Sequence, residues 1–296
     1  MPENATGELV RHERRGRTIL LTLDHPPVNV LSRPVLDRLL ERIESVESDP
    51  QARVVVLASA AEKAFAAGAD IREMEAMGPE EARIHGARGQ EVTRSIERLP
   101  LPVIAAVHGV CFGGGCEIAL ACDFILASED ARFGQPEINL GVMPGWGGTR
   151  RLPRRIGAAR ARHWILTGEA VPAAQAAAEG LLDRVVPRAE LLPAALVLAE
   201  QLASKAPVAL AAAKYALARA IDPAIEEGLA YELDLWARLF GTDGQKAGMQ
   251  AFLAKRPLVA GDRADWLRES AGFPWAKSEP APGGGKRDKP SGPKSS

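Results

Sequence analysis

Hydrophobic positions in the first two thirds of this chain switch repeatedly between two patterns. TILLTL at 18–23 is a β-rich apolar run that Pro26-Pro27 ends. Leu36, Leu39, Leu40, Ile43 and Val46 then recur at the spacing of one helix face, which predicts a helix over 35–47. VVVLA at 54–58 is continuously apolar, as in a strand buried on both faces. A small-residue loop at 64–70 (AFAAGAD) precedes a polar helix across about 80–98, which Pro100 and Pro102 break. Residues 103–107 read as the next buried strand, 113–115 as a glycine turn, 116–121 as a short helix and 123–127 as a strand. LLDRVV at 181–186 adds another strand. Strands alternating with helices from about 18 to 190 predict an α/β domain with mostly parallel pairing.

Beyond about 190 the pattern becomes helical throughout, in four alanine-rich segments with short breaks that suit an oligomer-forming or capping layer. Residues 276–296 contain no Val, Ile, Leu or Phe, and such a segment is expected to be disordered. The chain therefore divides into an N-terminal segment (1–15), an α/β core (16–190), a helical region (191–258) and a C-terminal extension (259–296).

Composition narrows the function. Of 296 residues, 46% are hydrophobic and 25% charged, an ordinary soluble balance. Thirty-seven basic residues nearly cancel 38 acidic ones, so no electrostatic pull toward nucleic acid or an anionic membrane is expected. No stretch approaches the roughly 20 apolar residues of a membrane span. The first sixteen residues hold no apolar run, so no secretory signal is expected. Cys111, Cys116 and Cys122 match no zinc spacing and read as buried free thiols in a reducing, cytoplasmic compartment. No metal site is expected. A phosphate-binding P-loop, a GxSxG elbow and a complete HExxH are all missing, and Ile118 stands where GxGxxG needs its last glycine.

Three features carry candidate chemistry: the Gly68-Ala69-Asp70 turn, the Gly113-Gly114-Gly115-Cys116-Glu117 strand-to-helix junction, and Glu137 in Phe133-Gly134-Gln135-Pro136-Glu137. Glycines allow close backbone approach and positive φ. A helix N-terminus directs free N–H groups outward, suited to a carbonyl oxygen that gains negative charge. Two carboxylates in a water-poor pocket run acid and base chemistry together. Each feature alone also has a plain structural reading: a common turn, a first-turn acid favoured by the helix dipole, an exposed loop charge.

AFAAGADIREM (64–74), PVIAAVHGVCFGGGCEIALACDFILAS (102–128), ARFGQPEINLGVMPGWGGTRRLPRRIG (131–157) and LTGEAVPAAQAAAEGLLDRVVP (166–187) closely resemble the crotonase superfamily, specifically enoyl-CoA hydratases. The likeness runs from about 16 to 258. It implies a spiral of repeated ββα units followed by a helical trimerisation region, in a trimer or dimer of trimers. It also implies an acyl-CoA thioester ligand and no cofactor beyond the coenzyme A of the substrate. By the same resemblance the oxyanion hole is made by the backbone N–H groups of Ala69 and Gly114. Ala67, Ala69, Asp70, Ile71 and Arg72 border the CoA site, and Lys255 is a weaker candidate for phosphate contact.

Hydratases of this family carry glutamates at both positions that are Glu117 and Glu137 here, whereas isomerases often keep one. The pair implies addition of water to a trans-2-enoyl-CoA, with Glu117 as base and Glu137 as acid; those labels are interchangeable at this level. Trp146 is a candidate for the acyl pocket, and residues 72–92 for chain-length preference. An enoyl-CoA isomerase or another acyl-CoA lyase is the alternative within enzymes. A non-catalytic binding protein of the same fold is the alternative outside them.

Overall fold

The computed structural model describes residues 8–219 and five isolated positions further along the chain. A hairpin opens the fold: β1 (Val10–Arg15) turns through Gly16 into antiparallel β2 (Thr18–Leu23). A second short strand, β3 (Val30–Leu31), and a helix, α1 (Arg33–Glu47), follow β2. That strand–strand–helix order then repeats. β4 (Val54–Ser59), β5 (Ala64–Ala66) and the short β6 (Gly68–Ala69) lead to α2 (Ile71–Glu75) and α3 (Pro79–Arg98). β7 (Val103–Val107) and β8 (Val110–Phe112) lead to α4 (Gly114–Ala121). β9 (Phe124–Ser128) and β10 (Arg132–Gly134) lead through a 3-10 turn, Pro136–Leu140, to α5 (Gly148–Ile156) and α6 (Ala158–Thr167). β11 (Val171–Pro172), α7 (Ala173–Ala178) and β12 (Arg184–Val186) complete the core, and α8 (Leu191–Ala203) and α9 (Pro207–Arg219) follow.

The repeat builds two sheets at once. First strands form a six-stranded sheet in the order β1-β2-β4-β7-β9-β12, parallel except for the opening hairpin. Second strands form a smaller sheet in the order β11-β10-β8-β5, and β3 pairs with β6 separately. From β4 and β5 through β9 and β10, each turn of the chain thus advances one strand in both sheets, the ββα spiral that the resemblance implied.

Parallel strands covered on both faces need apolar residues on both. Val55, Leu57, Val103, Ala105 and Val107 join the interior cluster with α1, α3 and α4. Their alternate neighbours Val54, Val56, Ile104 and Ala106 meet Leu191, Ala195, Ala199 and Ala203 of α8. The small residues every fourth position let α8 lie close on the sheet. So the first helix of the helical region covers a sheet face of its own chain.

Several short elements differ from the sequence expectation. β1 lies within 1–15, and its VRHERR sequence hides the strand because only Val10 is buried. β5 and β6 occupy part of the expected 64–70 loop, and with β8 and β10 they are two or three residues long, too short to show a period. The 181–186 strand is confined to Arg184–Val186. Just before it, Asp183 meets Ile125 twice: its backbone N–H donates to Ile125 O at 3.0 Å and its Oδ2 accepts the Ile125 N–H at 2.7 Å. Of the four expected helical segments beyond 190, α8 and α9 match the first two. The last two, Lys255 and the expected disorder from 276 lie outside the described residues. Among the described residues no single helix is long and apolar enough to cross a membrane.

Candidate active site

The smaller sheet explains why distant residues meet. β5, β8 and β10 are parallel neighbours, so the segments after them leave at one end. Those segments are the Gly68–Ala69 turn, the start of α4 and the 3-10 turn bearing Glu137. The Gly113 N–H donates to Gly134 O at 3.0 Å and ties the second to the third. Asn29 ties the first: its Nδ2 donates to Ser59 Oγ (2.7 Å) and Phe65 O (2.9 Å), while the Ala67 N–H donates to Val28 O (3.0 Å).

Two positions require glycine. Gly113 has φ +51°, and a Cβ there would stand 3.1 Å from Glu137 Oε1. Gly68 has φ +108°, and a Cβ there would lie 3.2 Å from Phe112 O and 3.8 Å from Gly114 N. The two glycine turns therefore abut, backbone to backbone. Hydrogen bonding within α4 starts with the Glu117 N–H on Gly113 O (2.9 Å), so the Gly114 N–H precedes the ladder.

Glu117, in the first turn of α4, is 2% exposed. Its Oε1 accepts the N–H groups of Trp146 (2.8 Å) and Gly148 (2.7 Å). Burial pushes its pKa up, and these N–H groups and the Arg151 charge oppose that push. Arg151 is fixed in turn by both oxygens of Glu97, each at 2.7 Å, and donates to Trp146 O at 2.8 Å.

Glu137 sits in a different setting. Its pKa is pushed up to about 7 by burial, against an opposing pull from its own backbone N–H, with a lesser upward push from the Glu117 charge. Its Oε2 is buried with no hydrogen-bond partner. The turn that carries it is pinned by Asn139 Nδ2, which donates to Gly168 O at 3.1 Å.

Both glutamates border one cavity of about 230 Å³, together with Ala67, Gly68, Ala69, Gly113 and Gly114. Ile71 and Trp146 border it as well, so the structure brings together both catalytic candidates, both oxyanion candidates and the acyl-pocket candidate. Asp70 and Arg72 do not line it. Asp70 Oδ1 caps α2 by accepting the Arg72 N–H at 2.9 Å, and Arg72 is exposed. Met74, Met77 and Ala82 of the 72–92 segment form an apolar wall. Sequence reasoning missed the N–H cradle of Glu117, because every residue but proline carries an N–H and leaves no signal. It also missed Gln135, which is fully buried beside Gly148 with both amide atoms unpartnered.

With this geometry in hand, likeness to known proteins becomes informative. Residues 13–263 match the enoyl-CoA hydratase/isomerase family. A short-chain-enoyl-CoA hydratase of Clostridium acetobutylicum is 41% identical over 83% of this chain and 95% of its own. A crotonyl-CoA hydratase of Syntrophomonas wolfei is 39% identical over 82% of this chain and 94% of its own. The crystal structure of an enoyl-CoA hydratase from Bacillus anthracis superposes with a TM-score of 0.82 at 36% identity, covering 85% of this chain and 98% of that one.

Proposed function

The chain belongs to the enoyl-CoA hydratase/isomerase family, and on that premise we propose how its residues carry out the reversible hydration of a trans-2-enoyl-CoA to a 3-hydroxyacyl-CoA. Enoyl-CoA hydratase activity, a carbon–oxygen lyase reaction on an acyl-CoA thioester, is supported by relatives that carry it at 39–41% identity over nearly their whole length. The observation that supports the residue roles is the single cavity holding two glutamates in unlike settings beside two abutting glycine turns.

In this reading the thioester oxygen lies between the N–H groups of Ala69 and Gly114. A water lies between the carboxyl groups. Glu117, in which two N–H bonds and Arg151 oppose the upward push of burial, takes a proton from the water as its oxygen bonds to C3. The C2–C3 π electrons move toward the thioester oxygen, where backbone donors meet the enolate charge. Glu137, whose pKa burial raises to about 7 so that a protonated fraction persists near neutral pH, delivers its proton to C2. Exchange with solvent restores both carboxyl groups, and the reverse path is dehydration. Acid, base and oxyanion donors are all supplied by the chain, so the proposed reaction needs no metal or cofactor beyond the CoA of the substrate.

Three further elements of the proposal are a homotrimeric or hexameric assembly, a cytoplasmic location and the absence of nucleic-acid or membrane partners. The three buried free cysteines and the balanced charge support the last two. Light scattering on the purified chain tests the assembly. The activity is tested with crotonyl-CoA in ¹⁸O-labelled water: the expected product carries the label on its C3 hydroxyl. Double-bond migration in a 3-enoyl-CoA without uptake of label at C3 would instead assign the chain to the isomerases of the same family.

A further inference from the structure

Trp146 does more in this structure than donate an N–H to Glu117. The residue is 4% exposed and borders the cavity that holds Glu117 and Glu137. It is seated on two glycines of different helices. A Cβ on Gly89, in the middle of α3, would lie 2.1 Å from the indole, and a Cβ on Gly114, at the start of α4, would lie 2.2 Å from it. The ring therefore rests directly on both backbones and fills the crevice between α3 and α4. The His85 ring stands over it at 5.8 Å between centroids, tilted by 48°.

The indole cannot easily withdraw, because its main chain is held on both sides. The N–H is bound to Glu117 at 2.8 Å, and the carbonyl accepts from Thr93 Oγ1 at 3.0 Å and Arg151 Nη1 at 2.8 Å. The cavity also has an open border. Its lining residues Ile71, Leu140 and Met143 are 55%, 52% and 68% exposed, in contrast to the buried indole.

We propose that the Trp146 indole is the back wall of the acyl pocket and restricts the enzyme to short-chain trans-2-enoyl thioesters. This rests on the hydratase reading above. The indole packs on Gly114 itself, so an acyl chain whose thioester oxygen lies at the Gly114 N–H meets the ring within a few carbons. Protein interiors are packed too densely to admit extra methylenes freely. A single methylene mismatch in an apolar pocket discriminates by about 10–200-fold. The two glycines follow from the same requirement, since alanine at either position collides with the ring. Glycine inside α3 costs helix stability relative to alanine, and contact with the indole accounts for it.

The test compares kcat/KM on four-, eight- and twelve-carbon trans-2-enoyl-CoA for the wild type, Trp146→Ala and Trp146→Phe. The wild type is expected to lose rate steeply with length. Trp146→Ala opens the α3–α4 crevice while leaving the main-chain bonds to Glu117 available. It is expected to raise the eight-to-four-carbon ratio by about tenfold or more, with a smaller rise for Trp146→Phe. A wild type that hydrates the twelve-carbon substrate as well as the four-carbon one overturns the proposal. So does an unchanged ratio in folded variants, judged by melting temperature and circular dichroism. If Trp146→Ala does not fold, the ratio in Trp146→Phe decides. A wild type inert at every length removes the hydratase reading itself, an outcome distinct from an active enzyme whose length profile ignores Trp146.

Discussion

The start of α4 and the 3-10 turn after β10 each present one glutamate to the same cavity, and they hold it in opposite ways. Glu117 leaves a regular helix and meets two backbone N–H groups, with an arginine behind them. Glu137 leaves an irregular turn and has an oxygen that meets nothing. Burial raises the pKa of both; on Glu117 it is opposed by N–H groups of a distant segment and by the Arg151 charge, on Glu137 by its own backbone alone. In the proposed mechanism these unlike surroundings separate identical side chains into a base and an acid, the general means of running both at one pH.

The largest expected effects come from neutralising either partner. Glu117→Gln and Glu137→Gln should each lower kcat for crotonyl-CoA by about 10²–10⁴-fold, with the fold intact by circular dichroism. Equal activity in either variant would remove that residue from the reaction.

Next in size is the turn between them. Gly114→Ala drives a methyl group into the Trp146 ring and displaces a proposed oxyanion donor. Losing one such donor costs about 10²–10³-fold in kcat. The outcome to measure is a fall in kcat larger than any rise in KM. A variant of full activity would show that the turn tolerates what its geometry forbids.

Arg151→Met sharpens the comparison by removing charge and anchor from the Glu117 side alone. Arg151 lowers the Glu117 pKa, so its loss should raise it. The acid limb of the pH–rate profile is then expected to move to higher pH, with the alkaline limb unmoved. A shift of the alkaline limb alone would reverse the assignment of base and acid.

A smaller effect concerns stability. The Glu137 pKa is raised on folding, from 4.5 to about 7. Its contribution is therefore fully present below about 4.5 and lost as pH rises through 7. Glu137→Gln cannot ionise, so it should gain on the wild type by on the order of 3 kcal/mol at pH 8 relative to pH 4, read from denaturant titrations. By contrast, Arg38→Ala, which breaks an exposed ion pair with Glu41, should change stability by less than about 0.5 kcal/mol.

How much of this was legible in the sequence depended on how many residues carried each signal. β4 and β7 were readable because both faces are apolar over five or six residues. Glu117 and Glu137 were readable because glycine turns and carboxylates fall in long family-like segments. The short strands that deliver them to one place were not, since two or three residues show no period. The Glu117 cradle was invisible for another reason: it uses main-chain donors of Trp146 and Gly148, 29 and 31 residues away. The Arg151–Glu97 pair spans 54 residues and was equally hidden. Gly89, in the middle of a helix, was a signal that could have been read, because glycine there implies a close neighbour.

The central claim is that Glu117 works ionised and Glu137 protonated, and the pH dependence of kcat/KM for crotonyl-CoA hydration tests it most directly. The wild type is expected to give a bell whose alkaline limb falls near pH 7, the range to which burial pushes Glu137. In Glu137→Gln that limb should vanish while the acid limb survives, and in Glu117→Gln the reverse should hold. An alkaline limb that persists in Glu137→Gln and disappears in Glu117→Gln would contradict the account and exchange the two roles.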